Sequence, residues 1–251
     1  KFDVERGSFL GNCMRGNIWR SDYYIDKLHK PVDRTEWDMT PQTYNAYYNP
    51  SNNEIVLPAA MFMVPGVADA QVDDAVAYGY VAAGTIGHEI THGFDDEGRQ
   101  YDAQGNLSGW WTAQDAARFN AAAQKMVDEF NAYEPLPGLH INGKASLGEN
   151  IADYGGLLLG LEAFEKTAQY REGRSIGGLT PTQRYFLGYA LGWMSQQRTE
   201  RLRQRLLSDV HAPAKWRVLG PLSNIPEFYQ AFGVKPGQPM WRAPQERVHI
   251  W

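Results

Sequence analysis

The chain has 251 residues and ordinary apolar and charged fractions for a globular protein, long enough for one large domain or two small ones. Its net charge of −5 gives no reason to expect nucleic acid as a partner, and no apolar run approaches the length of a membrane span. A single cysteine, Cys13, excludes an intramolecular disulfide and a zinc site built on several thiolates.

The opening Lys1-Phe-Asp-Val has neither an initiator Met nor a signal peptide and reads as a processed product or part of a longer chain. Ile18, Tyr24, Ile25 and Leu28 allow a helix within residues 17–28, stopped by Pro31. Residues 44–57 read as a hairpin: a β-prone run at 44–48, turn chemistry at 49–53, and a second short strand at 54–57. A plain surface hairpin fits that composition. A strand edge beside a cleft can also pair with an extended peptide. Residues 61–67 are apolar and interrupted by Pro and Gly, as in a buried loop.

The next stretch, residues 72–93, is a long helical candidate. Its four glycines weaken it by roughly 1 kcal/mol each, so burial rather than propensity must hold it. It ends in His88-Glu89-Ile-Thr-His92. On a helix, His88 and His92 lie one turn apart on one face and can share a metal ion. Glu89 points about 100° away from His88, beside the ion without being forced to ligate it. Two neutral nitrogens with a carboxylate base alongside suit a hydrolytic zinc site. The rival reading is a coincidence on a solvated helix.

Residues 94–111 form a loop. Thr112 is an N-cap for a helix over 113–133, with Asp115 at the capping-box position and Phe119, Ala123, Met126, Val127 and Phe130 on one side. Another helix begins at Ser146 and runs to about residue 170. Glu149 and Asp153 lie four apart near its start, where acids also simply favour a helix N-terminus. The apolar residues that follow imply burial, and buried acids need partners. Residues 181–207 read as a further helix with a basic, solvated end, and 224–232 as a short one. There is no internal repeat or low-complexity segment.

A catalytic zinc needs three protein ligands and an open position. Candidates for the third are His29, His140, His211, His249 and the acids. No histidine stands where the metzincin spacing needs one, which favours a downstream carboxylate, Glu149 first. Asp153 is placed to accept the spare N–H of a ligand His. Asp95 either does the same for the other His or caps a loop. On residue type alone, His211 is a loop His and Arg217 a surface ion-pair member.

Several separated motifs together resemble the catalytic part of the neprilysin-like (M13) zinc metallopeptidases. They are Asn45-Ala-Tyr-Tyr with Glu54-Ile-Val-Leu-Pro-Ala59, Gly87-His-Glu-Ile-Thr-His-Gly-Phe-Asp-Asp96, Leu147-Gly-Glu-Asn-Ile-Ala-Asp153, His211-Ala-Pro-Ala-Lys-Trp-Arg217 and the terminal Trp251. The resemblance covers nearly the whole chain. It implies a mainly α fold with a small β-sheet (α+β), a thermolysin-like zincin (gluzincin) domain with a central His-Glu-x-x-His helix and an edge hairpin. Residues 1–251 would form one catalytic domain, the C-terminal lobe, with the family's N-terminal capping region absent from this chain.

By the same resemblance, His88, His92 and Glu149 ligate one Zn2+. Glu89 is the base, and Asp95 and Asp153 orient the histidines. Asn45 and Ala46 hold the substrate backbone. His211 steadies the oxyanion, and Arg217 binds a substrate carbonyl. The implied activity is endopeptidase cleavage of oligopeptides before large apolar residues, with Trp193, and Met61 beside it, lining that pocket. The alternative is a peptide-binding or catalytically incomplete lobe that needs the N-terminal region as partner. Val248 stands where animal relatives carry a Cys, which points to the bacterial branch, with an exported location favoured over a cytoplasmic one. The Met63-Val-Pro-Gly-Val67 loop lacks the aromatic residues usual there.

Overall fold

The computed structural model describes residues 2–250. Trp251, one anchor of the resemblance, lies outside them. The chain divides into two compact units, residues 1–38 and 39–251. The first is organised on α1 (Phe9–Asp26), opened by Ser8, whose Oγ accepts from the Gly11 N–H at 2.9 Å. The Ser8 cap carries this helix further back than the apolar spacing of residues 17–28 suggests. None of its residues is buried. Trp19 stacks on Tyr23 at 5.4 Å, and Glu36 accepts from both Tyr23 and Lys27, which ties the end of the unit to its helix.

The second unit begins with the hairpin. Strands β1 (Tyr47–Asn49) and β2 (Glu54–Val56) pair antiparallel, Tyr47 opposite Val56. The ladder starts at residue 47 rather than 44, because Pro50 and Pro58 bracket it and only three pairs fit. Asn49 Oδ1 accepts from the Ser51 N–H at 3.1 Å and Asn53 takes a positive φ of 47°, which together close the turn. The segment 61–67 is mostly exposed, contrary to its apolar composition. A 3-10 turn at Ala59–Phe62 and the positive φ of Gly66 bend it so that only Val64 is buried.

The central helix is continuous but not uniform. It runs as α2 (Asp74–Ala77), a π-helical stretch Tyr78–Gly87, and α3 (His88–His92). Close approach to its neighbours explains its small residues. A Cβ on Gly156 would lie 2.4 Å from the Ala83 carbonyl oxygen, and one on Gly188 would lie 2.7 Å from the Val76 carbonyl oxygen. These contacts draw α5 (Leu147–Glu165) and α7 (Pro181–Leu191) against the helix that carries the two histidines.

Between them, α4 (Ala113–Ala132) begins at Thr112, which accepts from the Asp115 N–H at 3.1 Å, and buries the expected apolar side. The helix expected over 146–170 is two. After α5, Thr167 caps α6 (Ala168–Glu172) by accepting from the Tyr170 N–H. The one expected over 181–207 is also two, α7 and α8 (Thr199–Ser208), separated where Gly192 and a polar run break the apolar spacing. Helix α9 (Ala214–Leu222) escaped the sequence reading, since Pro213, Gly220 and Pro221 suggest a loop. Pro213 stands at the N-cap, where its missing N–H removes no helical bond. The last helix is α10 (Pro226–Phe232).

Phe130, Ile151, Leu157, Phe164, Tyr185 and Tyr189 form the centre of the core, all essentially inaccessible. The C-terminal segment is tied to it through Val248. Its carbonyl accepts from Tyr154 Oη at 2.9 Å, and its N–H donates to Asn224 Oδ1 at 2.8 Å. The described residues are thus mainly helical with one two-stranded sheet. Among the described residues, no helix is long and apolar enough to cross a membrane.

Candidate metal centre

α3 presents His88 and His92 to α5, which presents Glu149 from its first turn. The two Nε2 atoms are 3.1 Å apart. His88 Nε2 is 3.3 Å from Glu149 Oε2, and His92 Nε2 is 3.8 Å from Glu149 Oε1. One ligand atom from each residue falls within 4.8 Å of the others. The glycine contacts between the helices set this spacing, because α5 approaches the π-helical stretch at backbone distance.

The other face of each imidazole is held. His88 Nδ1–H donates to Asp153 Oδ1 at 3.0 Å, and His92 Nδ1–H to Asp95 Oδ2 at 2.7 Å. With both Nδ1 atoms protonated, both Nε2 lone pairs point at one another and at a carboxylate. That arrangement is repulsive unless a cation or a proton lies between them. Two ligands about 2.0–2.1 Å from one zinc ion at a tetrahedral angle stand about 3.3 Å apart, so the donor set fits the ion.

Electrostatics agree with a site built for positive charge. Burial pulls the His88 imidazole down, but its hydrogen bonds to Asp153 and Glu149 outweigh this and raise it to about 9. Burial opposes the Glu149 charge, yet His211 and His88 hold that carboxyl far below the carboxylate range. Glu89 is buried, makes no hydrogen bond to a described residue, and is pushed up by burial while the two histidines pull it down.

Asp153 is wholly buried and has a second partner that spacing did not reveal. Arg217 Nε donates to its Oδ2 at 2.7 Å and Arg217 Nη2 to its Oδ1 at 2.8 Å. Arg217 Nη2 also reaches Glu149 Oε2 at 3.3 Å, and its guanidinium lies 4.0 Å from the centre of the Trp193 ring. Arg217 is therefore buried, not the surface ion pair its residue type suggests.

His211 stands at the rim. Its Nε2 is 3.1 Å from Glu149 Oε1, and its Nδ1 and backbone N–H both bond Asp209 Oδ1, at 2.7 and 2.9 Å. Asp209 Oδ2 accepts from Arg205 Nε at 2.8 Å. Neither Asp209 nor Arg205 was found by sequence reasoning. The available signal was an acid two residues before a histidine. The same cleft, of about 490 Å³, is lined by Asn45, Ala46, Glu89, Asp95, Trp193 and Arg217 with the three converging side chains His88, His92 and Glu149, while Asp153 lies behind it.

Comparison with known proteins gives the same grouping. The family model described as peptidase family M13 matches residues 45–248. Neprilysin-3 of Drosophila melanogaster is 35% identical over all of this chain and 32% of its own length, and the neutral endopeptidase of Lactobacillus helveticus is 37% identical over 100% and 36%. The chain spans about a third of the length of these curated relatives. The crystal structure of Mycobacterium tuberculosis zinc metalloprotease ZMP1 with an inhibitor superposes with a TM-score of 0.92 at 43% identity, covering 100% of this chain and 39% of that one. PepO from Lactobacillus rhamnosis HN001 gives 0.86 at 33% identity, with 100% and 38% covered. With three-quarters or more of its residues inside the family match, the chain belongs to peptidase family M13.

Proposed function

We propose that this chain carries the catalytic centre of a zinc-dependent endopeptidase that cuts oligopeptides on the N-terminal side of large apolar residues. The observation that carries this reading is the convergence of His88, His92 and Glu149 within 4.8 Å, with the Glu89 carboxylate, which makes no hydrogen bond to a described residue, lining the same cleft. Bound by those three residues, zinc would polarise the scissile carbonyl and acidify water.

The protein's own groups complete the chemistry. Glu89 takes a proton from the attacking water as its oxygen bonds the carbonyl carbon. Its burial and raised pKa suit a group that holds that proton briefly and passes it to the leaving amine as the C–N bond breaks. Asp95 and Asp153 keep each imidazole in the tautomer that turns Nε2 inward. His211, fixed by Asp209, donates to the oxyanion that develops on the substrate.

Substrate placement falls to the cleft walls. β1 pairs with β2, and the residues that lead into it, Asn45 and Ala46, lie along the cleft wall, where an extended peptide would run beside the strand. Arg217 Nη1 makes no hydrogen bond to a described residue and is the guanidinium nitrogen free to meet a substrate carbonyl, with Trp193 beneath it. The relatives are about three times as long, so a further region that covers the cleft and limits substrate size belongs to the same reading.

The test is zinc content and cleavage of a quenched fluorescent peptide, with Glu89→Gln as control. Stoichiometric zinc, hydrolysis by the native protein and none by Glu89→Gln are expected. Zinc-loaded native protein that cleaves nothing sinks the hydrolytic reading, and equal cleavage by both proteins sinks the role of Glu89.

A further inference from the structure

Two glycines in the cleft are not demanded by packing. A Cβ on Gly84 would meet nothing nearer than 3.8 Å, and one on Gly192 would make only ordinary contacts at 3.4–3.6 Å. By contrast, Gly79, Gly87, Gly156 and Gly188 sit where a Cβ would lie under 3 Å from backbone atoms. Glycine inside a helix is unfavourable by roughly 1 kcal/mol relative to alanine, so Gly84 carries a penalty that no close contact explains. Both Gly84 and Gly192 line the cleft beside Tyr44, Tyr80, Thr85 and Trp193.

Tyr80, Gly84 and His88 recur every four residues along the central helix, a row about two turns long. Gly84 leaves open the space between the metal-facing histidine and the tyrosine. At the far end, the Tyr80 and Tyr44 hydroxyls hydrogen-bond one another. Two hydroxyls carry two hydrogens, and that bond uses one. Neither phenol makes a further hydrogen bond to a described residue, so one O–H donor remains uncommitted. Burial raises the Tyr80 phenol well above its ordinary value, with the Tyr44 bond adding to it, so Tyr80 stays neutral. Tyr44 is exposed, which lets water meet the spare donor when nothing else does.

We infer that Gly84 and Gly192 open a side pocket whose Tyr44–Tyr80 pair selects, after the cleaved bond, a large side chain with a hydrogen-bond acceptor at its tip, tyrosine above phenylalanine. This rests on the peptidase reading and refines its preference for large apolar residues. A wholly apolar pocket gives no advantage to a polar tip. Here a side chain that fills the pocket without an acceptor drives water from the spare O–H and leaves it unpaired.

The test uses zinc-loaded full-length protein and peptides that differ only at that position: Tyr, Phe or Ala. Dissociation constants are measured by calorimetry on Glu89→Gln, and kcat/KM on the native protein. The Tyr peptide should bind about five-fold tighter than the Phe peptide, the effect of one neutral hydrogen bond. The double variant Tyr44→Phe/Tyr80→Phe, which removes both hydroxyls, should abolish that ratio while keeping binding of the Phe peptide. Gly84→Leu should weaken both aromatic peptides about tenfold or more relative to the Ala peptide. Equal binding of Tyr and Phe by the native pocket, a preference that survives the double Tyr44→Phe/Tyr80→Phe change, or no peptide binding at all overturns the assignment. A Tyr preference in binding without turnover by the native protein supports the pocket and overturns the hydrolytic reading instead.

Discussion

Asp153 and Arg217 form a buried, two-bond ion pair, Nε to Oδ2 at 2.7 Å and Nη2 to Oδ1 at 2.8 Å, and the same Oδ1 receives His88 Nδ1–H at 3.0 Å. One carboxylate thus joins α5, α9 and the metal-facing helix. Removing either partner leaves a buried charge uncompensated, which costs about 3–5 kcal/mol. Arg217→Ala should therefore lower stability by that order. Asp153→Ala should do so as well and weaken zinc binding about 10–100-fold, because His88 loses its orienting acceptor. Denaturant melts of chelated protein and zinc competition titrations separate the two effects. Unchanged zinc affinity in Asp153→Ala would remove Asp153 from the support of His88.

Protons and zinc should compete for His88. Its pKa is raised to about 9, so in chelated protein its contribution to stability is full below its ordinary 6.5 and fades as pH rises through 9. Asp153 is shifted the other way: burial opposes its charge but Arg217 and His88 pull it down. Its contribution is full above its ordinary 3.8 and is lost as pH falls further. Chelated protein should be most stable between those windows. Zinc affinity should climb from pH 6.5 to 9, with proton release visible as a buffer-dependent enthalpy. A pH-independent zinc affinity across that range would contradict this account.

What was legible in the sequence follows the reach of each interaction. His88, Glu89 and His92 are readable because one helical turn fixes their relation, and the π winding that ends at Gly87 does not disturb it. Glu149 was reachable as a buried acid that needed a partner. The hidden parts depend on contacts between distant segments: the Arg217–Asp153 pair spans 64 residues, and the Tyr44–Tyr80 bond 36. Helix α9 was hidden because Pro213 and Pro221 look alike in sequence, though one caps the helix and the other lies inside it. Residues 61–67 were misread because apolar composition says nothing about which way a 3-10 turn faces.

The Arg205–Asp209–His211 chain should tune catalysis without touching the metal. Asp209 holds His211 through both the ring and the backbone N–H, and it does not reach the ligand atoms. Asp209→Ala should lower kcat about tenfold, short of the 100–1,000-fold typical when an oxyanion donor is itself removed. Zinc content should stay stoichiometric. Loss of zinc in this variant would show that Asp209 acts through Glu149 instead.

Two glycine-to-alanine substitutions should have opposite signs. On Gly156 the new methyl would meet the Ala83 carbonyl oxygen at 2.4 Å and the His88 nitrogen at 2.8 Å, both backbone atoms that cannot swing away. α5 must then retreat from the central helix, taking Glu149 away from His88. We expect a loss of about 1–3 kcal/mol, as for other overpacked cores, together with weaker zinc binding. On Gly84 the methyl has room and removes a helix-interior glycine, so stability should rise by about 0.5–1 kcal/mol with zinc binding unchanged. Thermal melts of both variants, with and without zinc, read the result. A Gly156→Ala protein as stable and as zinc-loaded as the native one would show that the helix spacing does not set the geometry of the metal centre.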